Sequence, residues 1–98
     1  MKHYIIIIHY IESSEKIGEI RPRHSQFLET AYAQNIALFS GRQASGKGGI
    51  IAAKGESIDK IRNFFKDDPY QKEHAAEYQF IEFEPGHYQK FLEDWVKL

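Results

Sequence analysis

The segment from Tyr4 to Ile11 is rich in isoleucine and tyrosine and is apolar at odd and even positions alike. No other feature constrains the fold as strongly, because a strand with one face in water alternates apolar and polar residues. We therefore predict a strand that is buried on both faces of a covered sheet. With 98 residues the chain has room for one core, and we predict a single domain over residues 1–98.

The rest of the chain predicts two helices and three further strands. Pro22 suits the first turn of a helix, where its missing N–H is not needed, and Asn35 suits a helix end. Glu12 to Glu15 is interpreted as a solvated turn, and the glycines between residues 41 and 48 permit a hairpin. The predicted elements are a helix over about residues 22–34, strands at 36–40 and 49–53, a helix between Ser57 and Pro69, and a strand at 78–84.

The order of these elements is that of a ferredoxin-like α+β fold, βαββαβ, with a four-stranded antiparallel sheet. The first and third strands are central in this topology, and they are the two predicted strands that lack a polar face. Two helices cover only one face of the sheet, so the other apolar face needs a second cover. A homodimer joined through the sheets is one candidate. The C-terminal tail, residues 87–98, whose apolar residues recur at helical spacing, is the other.

Composition excludes several classes of function. Thirteen Lys and Arg stand against fourteen Asp and Glu, and the net charge of -1 argues against binding to nucleic acid or to a membrane through basic residues. The absence of cysteine excludes disulfides, thiolate metal sites and cysteine nucleophiles. The longest apolar run, Tyr4 to Ile8, is far shorter than the ~20 residues of a membrane helix, and no signal cleavage site follows it. We predict a cytoplasmic protein.

His24 is the first candidate for a catalytic residue. It shares a helical stripe with Phe27 and Leu28, so its side chain is predicted to point toward the sheet. In the first turn after Pro22, the positive end of the helix dipole would disfavour the imidazolium and leave a neutral general base. The alternative is a partly buried structural histidine. Arg21 would bind an anion beside the free N–H groups of the same helix start, or be a solvated surface residue.

Asp68 is the second candidate. It precedes Pro69 and is predicted to cap a short third helix. A carboxylate at this position can also orient and charge a nearby imidazole, as it does in general acid–base pairs. The two roles are compatible. The sequence leaves open whether Asp68 and His24 meet, and whether they would do so within one subunit or across two.

Three other patterns predict no further site. Gly41 to Lys47 resembles a phosphate-binding loop, but Gly48 stands where a magnesium-binding Ser or Thr is required, and the segment joins two strands. The predicted third strand lacks the aromatic residues of an RNA-binding sheet. His3 and His9 lie ~20 Å apart in an extended strand and cannot bind one ion, and the other histidines lack partners at ligand spacing. We predict no metal and no other cofactor.

Four motifs, taken in order, resemble the YCII-related (YciI-like) family: Arg21-Pro22-x-His24 followed by Phe27-Leu28, then Leu38-Phe39-Ser40-Gly41, Gly49-Ile50-Ile51 and Asp68-Pro69-Tyr70. The similarity extends from Tyr4 to Phe83. It implies a ferredoxin-like domain in a dimeric α+β barrel, with a site built on a histidine and an aspartate that correspond to His24 and Asp68. The chain departs from the family pattern after Gly41, where Arg42 stands instead of the Gly-Pro start of a longer loop. Because that loop would line the pocket, the resemblance does not name a substrate.

Together, the residues and the resemblance predict a small cofactor-independent enzyme of the isomerase or lyase type. His24, oriented by Asp68, would move a proton on a small organic substrate that is anionic or aromatic. Arg21 would hold its negative group, and Ser40 or Tyr70 would supply a hydrogen bond. The alternative is a non-enzymatic dimeric module that binds a metabolite or serves as an interaction domain. An oxygenase that works without a cofactor stays open as a third possibility.

Overall fold

A computed structural model describes the whole chain, from Met1 to Leu98. The elements are β1 (Lys2–Tyr10), α1 (Ser14–Ala33), β2 (Ala37–Arg42), β3 (Gly48–Gly55), α2 (Ile58–Phe65), α3 (Pro69–Lys72), β4 (Ala76–Phe83), a 3-10 turn (Lys90–Leu92) and α4 (Glu93–Lys97). The strands form one antiparallel sheet in the order β2-β3-β1-β4. The predicted ferredoxin-like α+β fold is therefore confirmed, with the first and third strands in the centre. None of the helices combines the length and the apolar character needed to cross a membrane.

The even-numbered residues of β1 build the core. Tyr4, Ile6 and Ile8 are at most 2% exposed. They belong to one buried cluster with Ile20 of α1 and Phe65 of α2, so both helices pack against this face of the sheet. Each such side chain contributes about 1.5–3 kcal/mol on burial. This packing sets the distance and angle at which α1 lies over the strands.

The odd-numbered residues of β1 point to the opposite face of the sheet, which α1 and α2 leave uncovered. Ile5 and Ile7 are only partly buried there. Residues paired across the strands share this face and expose apolar surface, namely Phe39, Ile50, Ile81 and Phe83, which are 37–55% exposed. We call these four residues with Ile5 and Ile7 the open sheet face.

The C-terminal tail contacts one end of the open sheet face. Trp95 of α4 packs edge-on against His3, with 5.4 Å between ring centroids. The Lys54 Nζ donates a hydrogen bond of 2.7 Å to the Trp95 carbonyl and lies 5.0 Å from the centre of its ring. Burial lowers the pKa of His3 and of Lys54. The tail covers this end only and leaves Phe39, Ile50 and Ile81 exposed.

Helix α1 starts earlier than predicted, at Ser14 rather than at Pro22. Ser13 caps it by accepting a hydrogen bond of 3.2 Å from a first-turn amide, so the interpretation of residues 12–15 as a solvated turn was wrong. Pro22 lies inside the helix, which typically costs about 3 kcal/mol. Because Pro22 has no N–H, the carbonyl of Gly18, four residues earlier, lacks its helical donor. Both residues are exposed, so water can donate a hydrogen bond to that carbonyl. Burial of the opposite side of α1 outweighs the remaining cost.

Candidate active site

A cavity of about 210 Å³ lies between α1 and the sheet. Strands β1 and β3 supply its apolar floor. A volume below the ~300 Å³ of typical drug-sized pockets suits one small molecule. The polar side chains that line it include Arg21, His24, Ser25, Ser40, Arg42 and Tyr70.

His24 and Asp68, the two residues predicted to be catalytic, are in direct contact within one subunit. The Nδ1 atom of His24 lies 2.8 Å from Oδ1 and 2.9 Å from Oδ2 of Asp68. Because a carboxylate only accepts hydrogen bonds, Nδ1 carries the proton in this arrangement. The neutral imidazole then has its lone pair on Nε2, which has no partner in the protein. The His24 ring lines the cavity, whereas the Asp68 side chain behind it is fully buried.

The surroundings of His24 differ from the prediction. Because α1 starts at Ser14, His24 lies about three turns into the helix. The effect of the helix dipole is confined to the first turn, so the expected influence of a helix N-terminus on His24 was wrong. Arg21 likewise does not lie beside free helix N–H groups. The orientation of the imidazole comes from Asp68 instead.

Asp68 caps α3, as predicted, and contacts His24 at the same time. Its Oδ1 accepts a hydrogen bond of 3.2 Å from the backbone amide of Tyr70, and Pro69 occupies the first turn of this short helix. Its Oδ2 accepts a second bond from the hydroxyl of Tyr78. With the Nδ1 of His24, three donors converge on this fully buried carboxyl group. The side chain is thus held rigidly in the orientation that it presents to His24.

Tyr70 combines a stacked ring with an unsatisfied hydroxyl. Its ring lies 4.2 Å from the His24 ring, centroid to centroid, at an interplanar angle of 29°. The hydroxyl is buried and lies near the side chains of Tyr10 and Arg21, without a hydrogen bond of good geometry to either. Burial, assisted by the neighbouring Tyr10, raises the pKa of Tyr70 to about 12, although Arg21 acts in the opposite direction. The phenol therefore stays protonated at neutral pH, in a residue that lines the cavity.

The structure places the other predicted binding residues at the same cavity. Arg21 lies one helical turn before His24, and its guanidinium takes part in no ion pair. Ser40 of β2 lines the cavity, and its Oγ is 2.6 Å from the hydroxyl of Tyr32. All five predicted site residues are thus brought together, four in the cavity wall and Asp68 behind His24.

Two residues of the site were missed by sequence reasoning. Tyr78 was interpreted only as part of a strand. Burial and the contact with Asp68 raise its pKa, so its hydroxyl remains a donor. Arg42 was interpreted only as part of the hairpin loop, yet it ends β2 and lines the cavity. The alternation of buried and exposed residues in β4 indicated that Tyr78 faces the core, and the charge of Arg42 marked it as a binding candidate. The residues that each one meets lie far away along the chain, so the sequence did not show the contacts.

Comparison with known proteins supports the fold independently. A search of curated proteins finds no match. Among solved structures, the chain is similar to 5-chloro-2-hydroxyhydroquinone dehydrochlorinase (TftG) from Burkholderia phenoliruptrix AC1100, solved in complex with 2,5-dihydroxybenzoquinone. The TM-score is 0.68 at 18% sequence identity, over 89% of this chain and 93% of that one. At this identity the similarity establishes a shared fold.

The YCII-related domain matches residues 1–84 of the sequence. This range contains all four strands and every residue of the cavity described above, and it ends before the tail that carries Trp95. The match covers most of the chain and agrees with the motifs around His24 and Asp68. The chain belongs to the YCII-related domain family.

Proposed function

We propose that the protein is a small cofactor-independent enzyme in which His24 transfers a proton on a small organic substrate. The observation that carries this proposal is the contact of His24 Nδ1 with both oxygens of the buried Asp68, beside a cavity. This contact directs the Nε2 lone pair away from Asp68. It also stabilises the imidazolium that forms when Nε2 takes a proton.

The reaction classes that fit are isomerisation and elimination. The Nε2 of His24 removes a proton from a carbon next to a carbonyl, and the C–H electron pair moves toward the carbonyl oxygen. In an isomerisation, His24 returns the proton to another carbon of the same molecule. In an elimination, the electron pair forms a double bond, the leaving group departs with its own pair, and His24 releases the proton to water. Neither class needs an oxidant or reductant.

Negative charge develops on the carbonyl oxygen during such a step, and the cavity offers donors for it. The hydroxyl of Tyr70 is protonated and belongs to a residue that lines the cavity, so it is one of these donors. Arg21 supplies a positive charge on the same wall as His24, and Ser40 a hydroxyl on the facing strand. The solved structure that shares this fold is a dehydrochlorinase by name and holds a small oxygen-rich ring. That likeness supports a substrate of similar size.

Exchange of substrate protons with solvent tests the proposal directly, because it reports the transfer of a proton whichever reaction follows. Short 2-oxo acids and hydroxylated quinones are incubated with protein in D₂O, and the loss of the C–H signal is followed by proton NMR. We expect His24→Gln to slow catalysed exchange by about 100-fold to 10,000-fold, the usual contribution of a general base. His87→Gln is the matched control, because His87 is exposed and lies outside the cavity.

Two results would count against the proposal. One is equal exchange in the His24→Gln and His87→Gln variants. The other is tight binding of a compound without any exchange, which would favour the alternative, a metabolite-binding module. A readout that needs no substrate is the tautomer of His24 in ¹⁵N NMR. We expect Nδ1–H in the wild type and a mixture of tautomers in Asp68→Asn, which replaces the carboxylate with a neutral amide.

We also propose that the protein works as a homodimer joined through the open sheet face. Apolar side chains exposed together on one face of a sheet favour a partner, and Phe39 is 55% exposed there. Sedimentation of the wild type and of Ile81→Glu tests this, and the variant is expected to be monomeric. Ile11→Glu is the control, since Ile11 is 51% exposed in the loop after β1 and is not one of the six residues of the open sheet face. A monomeric wild type would refute the proposal.

A further inference from the structure

Two arginines reach the cavity from different elements. Arg21 extends from α1, and Arg42 extends from the last position of β2. No Asp or Glu lines the cavity, and neither guanidinium takes part in an ion pair. Two arginine charges therefore line the cavity, and the carboxylate of Asp68 lies behind His24 rather than in the cavity wall, in a chain whose net charge is -1. Such a concentration of one sign in a concave site favours an anionic ligand.

The backbone of Arg42 is held at a fixed place. Arg42 pairs with Gly49 in the β2–β3 ladder. The next residue, Gln43, donates from Nε2 to the carbonyls of Ile8 and Gly49, each at 3.2 Å. These bonds fasten the end of β2 to the two central strands. The guanidinium therefore extends from a rigid position at the cavity wall rather than from a loose loop.

Gly49, the strand partner of Arg42, lies in the cavity floor in close contact with its neighbours. A Cβ added to Gly49 would lie 3.1 Å from the carbonyl oxygen of Gly41 and 3.6 Å from Cδ1 of Ile8. Gly49 and Ile8 both line the cavity. The glycine thus lets the end of β2 approach the central strands closely, which helps to hold Arg42 at the cavity.

Tyr70 is an independent sign that this cavity takes a ligand. It is 1% exposed, and its hydroxyl is buried without a hydrogen-bond partner. An unsatisfied buried hydroxyl costs about 1–3 kcal/mol, which a bound oxygen atom would offset. Arg21 is a neighbour of this hydroxyl, whereas Arg42 belongs to another element. The cavity therefore offers two separate places for negatively charged oxygen.

We propose that the cavity selects small organic dianions with two separated acidic groups, and that Arg42 binds the group that does not react. The inference rests on the proposed function, which places the reacting oxygen at Tyr70 and Arg21. A monoanion compensates only one guanidinium, whereas a dianion forms charge-assisted hydrogen bonds with both. Arg42 is thereby a specificity-determining residue, which binds the second negative group of the substrate at a distance from the reacting atom.

Calorimetric titration with two matched pairs of compounds tests this. Terephthalate is compared with 4-methylbenzoate, and fumarate with crotonate, so that shape is kept while one carboxylate is lost. We expect the wild type to bind at least one dianion about tenfold more tightly than its monoanion, the effect of one charged contact at a partly exposed site. Arg42→Gln should bring that ratio close to one, chiefly by weakening the dianion, and Arg42→Lys should restore part of it.

The control for general electrostatics is Lys47→Gln. Lys47 is exposed in the same hairpin and does not line the cavity, so its loss removes one positive charge without removing a contact. We expect this variant to keep the wild-type ratio. The inference is overturned by equal affinities in the wild type, by a ratio that survives Arg42→Gln, or by an equal loss in Lys47→Gln. Failure of both dianions to bind at millimolar concentration also overturns it.

The same variants separate this inference from the proposed function. His24→Gln removes the proposed base and no positive charge, so it should keep the preference for the dianion. If His24→Gln loses proton exchange but Arg42→Gln leaves the affinity ratio unchanged, only the proposed role of Arg42 is refuted. A ratio that depends on Arg42, in a protein whose proton exchange does not depend on His24, counts against the catalytic proposal alone.

Discussion

The hydroxyl of Tyr78 provides the sharpest test of the buried network behind His24. Tyr78→Phe removes one oxygen atom and leaves the ring in place. In the wild type this hydroxyl donates to Oδ2 of the fully buried Asp68. The variant leaves the carboxylate with two of its three donors, the Tyr70 amide and the His24 ring. We therefore expect a loss of stability from a substitution that removes almost no apolar contact.

The magnitude follows from the type of bond. A hydrogen bond to a charged group contributes about 1.5–3 kcal/mol, and we expect the free energy of unfolding to fall by about 2 kcal/mol. For a chain of this length, that corresponds to a decrease in Tm of roughly 8–16 °C. In an Asp68→Asn background the same substitution should cost less, because the acceptor is no longer charged. Urea denaturation at neutral pH measures all three variants.

Tyr4→Phe is the matched control. Tyr4 lies on the same face of the sheet and is 0% exposed, but its hydroxyl has no hydrogen-bond partner. Removing an unsatisfied hydroxyl should leave stability unchanged or raise it by up to about 1 kcal/mol. Similar losses in Tyr4→Phe and Tyr78→Phe would refute the reasoning, since the effect would then come from packing rather than from the bond to Asp68.

Three further predictions concern the sheet and its tail. A Cβ at Gly48 would lie 1.8 Å from the carbonyl oxygen of Ile8, so Gly48→Ala should lower the free energy of unfolding by at least about 3 kcal/mol. A Cβ at Gly41 would have nothing within 4 Å, so Gly41→Ala should lower it by about 1 kcal/mol or less. Urea denaturation measures both variants. Burial lowers the pKa of His3 in the folded protein, so the unfolded chain binds the proton more tightly. The free energy of unfolding should therefore fall as the pH drops below about 6.5. Denaturation between pH 7 and 5 should show a smaller fall for His3→Gln than for the wild type. Trp95→Ala should lower the free energy of unfolding by about 1–2 kcal/mol, because this half-buried ring covers His3. Thermal unfolding measures the change. An unchanged Tm would show that the tail does not dock in solution.

Pro22 shows where local sequence signals mislead. It is the strongest helix-start signal in its region, and yet α1 begins at Ser14. The competing evidence is the burial of Ile17 and Ile20, which are at most 1% exposed. Burying two isoleucines contributes about 3–6 kcal/mol, which exceeds the ~3 kcal/mol cost of an internal proline. Whether those side chains are buried depends on the sheet beneath them, which a local pattern does not describe.

The sequence by itself determined the fold and the identities of the candidate residues. A strand apolar on both faces has to be central, and β1 is. Ser57 and Asp68 were predicted as helix caps from their neighbours, and both accept hydrogen bonds from first-turn amides. These features depend on residues a few positions apart. Periodicity and capping are local, so they can be read along the chain.

Only the tertiary structure decided how the candidate residues are joined. His24 and Asp68 are separated by 44 positions and meet because α1 and α3 pack together on one side of the sheet. Tyr78 reaches Asp68 from β4, and Arg42 faces the cavity from the end of β2. Each of these contacts depends on the register and angle of elements that the core holds in place. The site therefore depends on tertiary packing, whereas the pattern of apolar residues along the chain is sufficient to predict the fold.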